Sequence, residues 1–180
     1  MVDEKDRFYS RLATIPGVHP LPSIGACILL AVENPSELAR LLLTQHGMEV
    51  HTERGPRNVP ALLKERSFDL ILLDMNFTRD SSSGQEGFTW LKKILEIDRS
   101  AFIVLITAYG DIEMAVRAIK EGATDFVLKP WQNEKLVATI STVLKLRRSH
   151  LEIDRLRSRQ QQLTADLDQH VEHRARRSAV

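Results

Sequence analysis

Residues 69–74 read Asp-Leu-Ile-Leu-Leu-Asp, a short apolar run that ends in a carboxylate. Two further apolar runs of strand length, residues 27–32 and 101–107, precede and follow it in the chain. Strands that are buried on both faces read as continuous apolar runs, which is typical of parallel sheets covered by helices. Residues 69–74 therefore predict an inner strand of a parallel sheet, with Asp74 at its carboxyl end.

Strand-like and helix-like segments alternate on both sides of this run. The predicted strands are residues 27–32, 48–52, 69–74, 101–107 and 125–129. The predicted helices are residues 37–46, 59–65, 87–96, 111–121 and the segment from 134 onward, and Gly47 and Gly122 are placed to end two of them. Right-handed crossovers put helices on both faces of such a sheet. We expect an α/β fold, a doubly wound five-stranded parallel sheet of the flavodoxin-like type, with a long C-terminal helical extension.

The sequence predicts three regions. Residues 1–23 form an N-terminal arm broken by prolines, residues 24–145 form the α/β domain, and residues 146–180 form a linker or coiled-coil helix with a basic tail. An a/d heptad register recurs along the last region at Ile153, Leu156, Gln160, Leu163, Leu167 and His170. This register predicts a parallel homodimer, and the alternative is a solvated single helix.

Composition limits the classes of partner. The formal net charge is +1, although residues 145–180 carry nine Lys/Arg against five Asp/Glu, which makes that region +4. A solvated coil surface explains this charge better than a nucleic-acid site, so we expect no direct DNA binding by this chain. No run approaches the roughly 18 apolar residues of a membrane span. The single cysteine, Cys27, excludes an intrachain disulfide and fits a cytoplasmic protein.

Chemically active side chains stand at the ends of the predicted strands. Glu33 follows the first strand, Asp74 ends the third, Thr107 ends the fourth and Lys129 ends the fifth. The carboxyl ends of parallel strands meet at one edge of the sheet, so these side chains should converge there. A carboxylate pair, a hydroxyl and an ammonium suit phosphoryl transfer assisted by a divalent cation. Each residue alone has a plainer explanation, such as a helix cap or a surface charge, and the combination carries the prediction.

Three motifs resemble those of response regulator receiver domains. They are Leu-Ile-Leu-Leu-Asp-Met at 70–75, Ile-Thr-Ala-Tyr-Gly-Asp at 106–111 and Gly-Ala-Thr-Asp-Phe-Val-Leu-Lys-Pro at 122–130. The second motif and the residues after it look most like receivers of sigma-54-dependent transcriptional activators of the NtrC type, which precede AAA+ modules. The resemblance implies the following roles: Asp74 as phospho-acceptor, Thr107 and Phe126 as switch residues, Lys129 as phosphate-pairing lysine, and Pro130 after a cis peptide bond. It also implies Mg²⁺ bound by Glu33, Asp74 and the backbone carbonyl of Asn76.

The function implied by this resemblance is a phosphorylation switch in a two-component system. A sensor histidine kinase would phosphorylate Asp74, and the domain would then change dimerisation or an output domain, with transcription as the expected output. An AAA+ output domain is absent from this chain, which leaves open both a fragment of a longer regulator and a stand-alone one. Beyond self-phosphorylation on Asp74 and autodephosphorylation, we expect no enzymatic activity.

Two departures from the receiver pattern keep alternatives open. Val32 stands where the family usually has a second acid beside Glu33, which favours a phosphorylation-independent pseudo-receiver that acts as a protein-interaction module. The loop at 77–87 is longer and more polar than usual, and Asp80 or Glu86 in it could supply an extra ligand. An enzyme that uses Asp74 as a nucleophile on a small phosphate ester is the third alternative. Asn76 argues against it, because such enzymes usually place a second carboxylate there.

Overall fold

The structure is a computed structural model that describes residues 25–32, 37–75, 77, 85–108 and 112–178, and it leaves the side chains of 37, 38, 112 and 168–178 undescribed. The predicted N-terminal arm at 1–23 lies outside these residues, as does most of the 77–87 loop.

Strands and helices alternate through the described part of the chain. The strands are β1 (Cys27–Val32), β2 (Glu49–Arg54), β3 (Leu70–Asp74), β4 (Ile103–Thr107) and β5 (Asp125–Leu128). The helices are α1 (Glu37–Gln45), α2 (Val59–Glu65), α3 (Gln85–Ile97), α4 (Ile112–Lys120) and α5 (Asn133–Ser178). The predicted order of elements is confirmed, and their ends differ from the predicted ends by at most two residues.

The five strands form one sheet in the order β2-β1-β3-β4-β5, and every neighbouring pair is parallel. The predicted doubly wound, flavodoxin-like fold is therefore confirmed. All residues of β3 and β4 are buried, whereas every position of the edge strand β2 is exposed or half-buried. Burial on both faces explains why the inner strands have apolar sequences, since polar side chains there would lose their contacts with water.

Alternate residues of each inner strand contribute to separate cores on the two faces of the sheet. Ile28, Leu30 and Val32 of β1 lie in a core that also contains Leu43 of α1 and Ile140 of α5. The intervening residues of β1 lie in the other core, which contains buried side chains of α2, α3 and α4. Each fully buried Leu or Ile contributes about 1.5–3 kcal/mol relative to exposure. Helices on both faces thus hold β3 at the centre of the domain and place its carboxyl end, with Asp74, between two other strands.

Two glycines end helices as predicted. Gly47 has φ 79°, and Gly122 has φ 103°. Residues with a Cβ rarely adopt these backbone angles. Gly122 donates its N–H to the Ile119 carbonyl, and a Cβ at this position would approach Leu95 Cδ1 to 2.7 Å. The positive φ favours glycine at residue 122, and any Cβ there would also require the Leu95 side chain to shift. This backbone conformation lets the chain leave α4 and enter β5.

The chain divides into two compact units after Lys145. Within the first unit, α5 buries Leu136, Ile140, Val143 and Leu144 in one of the cores. The second unit contains the remainder of α5, from Leu146 to Ser178. None of the helices in the described ranges combines the length and apolar character that a membrane-crossing segment requires.

Candidate functional site: the carboxyl end of the sheet

Asp74 is the last residue of β3, the middle strand of the sheet, and it is only 4% exposed. Its position is set by pairing with β4, where Asp74 lies opposite Ile106 and the following residue, Met75, donates its N–H to the Ile106 carbonyl at 2.8 Å. Asp74 and Thr107 are the two buried polar side chains among the described residues. A carboxylate removed from water in this way requires compensating charge or hydrogen bonds.

Lys129 supplies that compensating charge. Its Nζ lies 2.5 Å from Asp74 Oδ2, although 55 residues separate the two in sequence. The lysine reaches the site because β5 ends beside β4, and the Lys129 N–H donates to the Thr107 carbonyl at 2.7 Å. The Lys129–Pro130 peptide bond is cis, as the resemblance implied. The sequence-based prediction that Asp74 and Lys129 converge is confirmed by this contact.

Thr107 ends β4 next to this ion pair and is 3% exposed. Its Oγ1 donates a weak hydrogen bond to Met114 Sδ of α4 at 3.8 Å. Phe126 lies on β5 opposite Leu105 and is half-buried, packed against the core that contains the α4 side chains. Thr107 and Phe126, the predicted switch pair, therefore occupy adjacent strands and the same side of the domain as α4.

Helix α3 packs closely against the backbone of Met75, the residue that follows Asp74. The Gly87 N–H donates to the Met75 carbonyl at 3.1 Å, and a Cβ at residue 87 would lie 2.6 Å from Met75 Cα. Only a residue without a side chain allows this approach. From the sequence, Gly87 is predicted only to start a helix, because nothing in the local sequence shows which backbone a glycine will meet.

The first residue of the long loop, Phe77, is apolar and packs into the core. Phe77 is 8% exposed and belongs to the core that contains α3 side chains. Its N–H donates to Glu86 Oε2 at 3.3 Å, a contact that closes the two ends of the loop on each other. The expectation that the whole 77–87 segment is a polar surface loop is thus wrong for Phe77, since its aromatic ring is buried. Glu86, which was considered as an extra metal ligand, accepts this hydrogen bond from the Phe77 backbone.

Several predicted site residues lie outside the described part of the chain. They are Glu33, Asn76 and Asp80. The Mg²⁺ site predicted from Glu33, Asp74 and the Asn76 carbonyl therefore remains a prediction. Val32, by contrast, is described and is buried at 4% exposure in the core with Leu30. The position where receivers usually carry a second acid is here part of the apolar core.

Comparisons with known proteins agree with this geometry. The family model described as response regulator receiver domain matches residues 33–141. Chemotaxis protein CheY of Bacillus subtilis (strain 168) is 34% identical over 105 residues, which cover 57% of this chain and 82% of that protein. Transcriptional regulatory protein ZraR of Escherichia coli O157:H7 is 31% identical over 107 residues, which cover 59% of this chain.

A solved structure gives the same result. The receiver domain of NtrX from Brucella abortus matches with a TM-score of 0.59 and 28% identity, over 66% of this chain and 98% of that one. Unlike the NtrX receiver domain, ZraR extends far beyond the match, and this chain spans 23% of its length. With an Asp–Lys pair at the carboxyl end of a five-stranded parallel sheet and a family match over residues 33–141, the chain belongs to the response regulator receiver domain family.

Proposed function

We propose that this receiver domain is a phosphorylation switch that accepts a phosphoryl group on Asp74 from a sensor histidine kinase. The contact between Asp74 Oδ2 and Lys129 Nζ, at 2.5 Å, is the observation that carries the proposal. It joins a nearly buried carboxylate to a cation whose side chain is 36% exposed, so the carboxylate is largely shielded from solvent while the ammonium remains accessible. This arrangement suits transfer of a dianionic group to a carboxylate.

The chemistry follows from these two side chains. An Asp74 carboxylate oxygen bonds to phosphorus while the bond from phosphorus to the phosphohistidine nitrogen breaks, and the imidazole nitrogen keeps that electron pair. The product is an acyl phosphate on Asp74. The Lys129 ammonium, which pairs with the carboxylate before transfer, pairs with the phosphoryl oxygens afterwards. Lys129 thus stabilises negative charge in both states.

Mg²⁺ fits the site because a buried carboxylate oxygen is a hard donor of the kind this cation prefers. We assign its ligands to Asp74, Glu33 and the backbone carbonyl of Asn76, as the family pattern implies. Bound there, the ion would neutralise charge on the oxygens of the transferring group. The apolar burial of Val32 removes one acidic neighbour, and we expect weaker Mg²⁺ binding than a site with two adjacent acids would give.

Phosphorylation would be sensed by Thr107. Its hydroxyl donates to the Met114 thioether, a weak acceptor, and a phosphoryl oxygen on Asp74 would be a stronger acceptor for the same hydroxyl. Phe126 is half-buried on the neighbouring strand and can fill the volume that Thr107 leaves. The result is a population shift between two packings of the surface formed by α4, β5 and α5.

The output that we propose is a change in dimerisation through α5 or in an attached output domain. Leu146, Ile153, Leu156, Leu163 and Leu167 follow the heptad register and are 44–65% exposed in the isolated chain. Pairing these positions with a second copy would bury them. Because ZraR is named a transcriptional regulatory protein and extends well beyond the match, we propose a transcriptional output, in which an AAA+ module absent from this chain would respond to the receiver.

The test is intact mass of the full chain after incubation with acetyl phosphate and Mg²⁺. We expect the wild type to gain one phosphoryl group. Asp74→Asn should gain none, nor should the wild type when Mg²⁺ is chelated, whereas Asp154→Asn should gain one. Asp154 is a suitable control because it is an exposed aspartate of α5, well away in sequence from the strand ends.

The second candidate function is a pseudo-receiver, and the burial of Val32 is the observation that favours it. In that case no phosphoryl group is added over a wide range of Mg²⁺ concentrations, and beryllofluoride does not bind. That result would reject the switch and direct attention to α5 as an interaction surface.

A further inference from the structure

Three side chains of the kinds that bind metal ions converge at the amino ends of β1 and β2, at the end of the sheet opposite to Asp74. The Cys27 thiol, the Glu49 carboxylate and the His51 imidazole each place a ligand atom within 4.8 Å of the other two. Cys27 lies opposite Glu49 in the parallel pair, and His51 is two residues further along β2, which puts its side chain on the same face as that of Glu49. Two hydrogen-bonded strands therefore hold all three.

We propose that Cys27, Glu49 and His51 form a binding site for Zn²⁺. Thiolate, imidazole and carboxylate are the ligands that Zn²⁺ takes in proteins, and three of them leave a fourth tetrahedral position for water. Mg²⁺ prefers oxygen ligands and near-octahedral geometry, so this site should discriminate against the ion proposed at Asp74. Asp74 lies five residues after Asp69, which hydrogen-bonds to Cys27, so about 16 Å of strand separates the two sites.

The His51 imidazole contacts both the Glu49 carboxylate and the Arg66 guanidinium. Its Nε2 lies 2.7 Å from Glu49 Oε1 and 2.6 Å from Nη1 of Arg66. With its proton on Nε2, His51 donates to the carboxylate, and Nδ1, which lies 3.3 Å from Arg66 Nη1, can accept from the guanidinium. A metal ion would take the place of that proton between Nε2 and the carboxylate. Zn²⁺ bound to Nε2 and to the carboxylate would satisfy both ligands. Arg66, whose side chain is 48% exposed, can turn away into solvent.

The surroundings of Cys27 also suit a cation. Burial raises the pKa of the Cys27 thiol, and the Glu49 and Asp69 carboxylates raise it further, against an opposing effect of Arg66. Zn²⁺ must displace the thiol proton to solvent on binding, as is general for cysteine ligands. The same two carboxylates that disfavour a lone thiolate attract a divalent cation.

Neighbouring groups fix the orientation of the proposed ligands. Asp69 Oδ2 accepts the Cys27 N–H at 2.8 Å, which fixes the start of β1. The His51 ring packs edge-on against Phe68 with ring centroids 5.7 Å apart. Ligand side chains held in this way lose little conformational freedom when a metal ion binds.

The experiment is a titration of the reduced full chain with Co²⁺, followed by competition with Zn²⁺. We expect one Co²⁺ per chain, with a thiolate-to-cobalt charge-transfer band in the near ultraviolet that Zn²⁺ abolishes and excess Mg²⁺ does not. Cys27 is the single cysteine, so loss of the band in Cys27→Ser is required but does not identify the other ligands. The decisive variants are His51→Gln and Glu49→Gln, each of which should weaken Zn²⁺ binding by about tenfold or more.

One further variant should have an effect that binding by the thiol alone would not produce, and two more variants serve as controls. Arg66→Gln removes a cation that competes for His51 Nε2, and it should therefore tighten Zn²⁺ binding. His46→Gln alters an exposed histidine outside the cluster and should leave the affinity unchanged, as should Asp74→Asn, which alters the proposed phosphorylation site.

Three results would overturn the proposal. One is the absence of a thiolate band at saturating Co²⁺. Another is a Co²⁺ affinity, measured from the band, that is the same in the wild type, His51→Gln and Glu49→Gln. That result would mean binding by the cysteine alone. The third is a stoichiometry of one ion per two chains, which would mean an intermolecular site.

Discussion

The two parts of α5 contain similar apolar side chains in opposite environments. Leu136, Ile140, Val143 and Leu144 are at most 3% exposed, whereas Leu146, Ile153, Leu156, Leu163 and Leu167 are 44–65% exposed. The first group packs against the sheet of its own chain, so its burial stabilises the domain without any partner. In the described part of the chain beyond Lys145, the leucines have no core of their own to enter. They can contribute hydrophobic free energy only if another surface covers them.

The largest expected effect tests the buried part of α5. Ile140→Ala should lower the free energy of unfolding of the domain by about 2–5 kcal/mol, because it removes a fully buried side chain from a packed core. Urea denaturation followed by circular dichroism measures the change. Leu151→Ala is the matched control, since Leu151 is 53% exposed on the same helix and its loss should change the stability of the domain little. Similar destabilisation by both would contradict the distinction drawn here between the two parts of α5.

A smaller effect is expected for the ion pair beside the start of α5. Lys129→Met should lower the free energy of unfolding by about 1–3 kcal/mol at neutral pH, because the nearly buried Asp74 carboxylate loses its cation. The same variant should slow phosphorylation by acetyl phosphate. A double-mutant cycle with Asp74→Asn checks the cause, since the stability cost of Lys129→Met should largely disappear in that background. An equal cost in both backgrounds would show that the lysine acts through packing instead.

The exposed part of α5 should respond through self-association and not through domain stability. Leu156→Ala removes a d-position side chain from the proposed dimer and should weaken dimerisation by about 1–2 kcal/mol. Sedimentation equilibrium of the phosphorylated and unphosphorylated chain measures this. Leu151→Ala is again the control, because Leu151 falls outside the a/d register and should leave the dimer intact. If the two variants behave alike, the heptad register does not form the interface.

The smallest effect concerns Glu121, which follows α4 and forms ion pairs with Arg117 of α4 and Lys92 of α3. Hydrogen bonding to Arg117, at 2.7 Å, lowers the pKa of Glu121 below its ordinary value of 4.5, with Lys92 adding a smaller effect. A carboxyl with a lowered pKa in the folded state stabilises the protein above pH 4.5, and this contribution disappears as the pH falls through the folded-state pKa.

Glu121→Gln should therefore lower stability by less than about 1 kcal/mol at neutral pH, since Arg117 and Lys92 are solvent-screened. Thermal melts of both proteins from neutral pH to well below pH 4.5 should converge at the acid end. A constant or growing difference on acidification would contradict the assigned cause.

The sequence alone was sufficient to predict the order of strands and helices and the end of the sheet that carries the site. Apolar runs such as residues 69–74 predict inner strands because burial on both faces excludes polar residues there. Gly47 and Gly122 mark helix ends because few other residues adopt their positive φ values. The motifs around Asp74, Thr107 and Lys129 were recognisable as well, since each follows directly from a strand that the local pattern predicts.

Tertiary structure decided which distant groups meet. Nothing in the sequence around Gly87 shows that its missing side chain makes room for the backbone of Met75, or that Phe77 turns into the core from a polar loop. Cys27, Glu49 and His51 looked unremarkable as the start of one strand and part of another. They converge because β1 and β2 pair in a register that sets Cys27 opposite Glu49. Local sequence determines which segments become strands, whereas the register and neighbours of a strand depend on packing across the whole sheet.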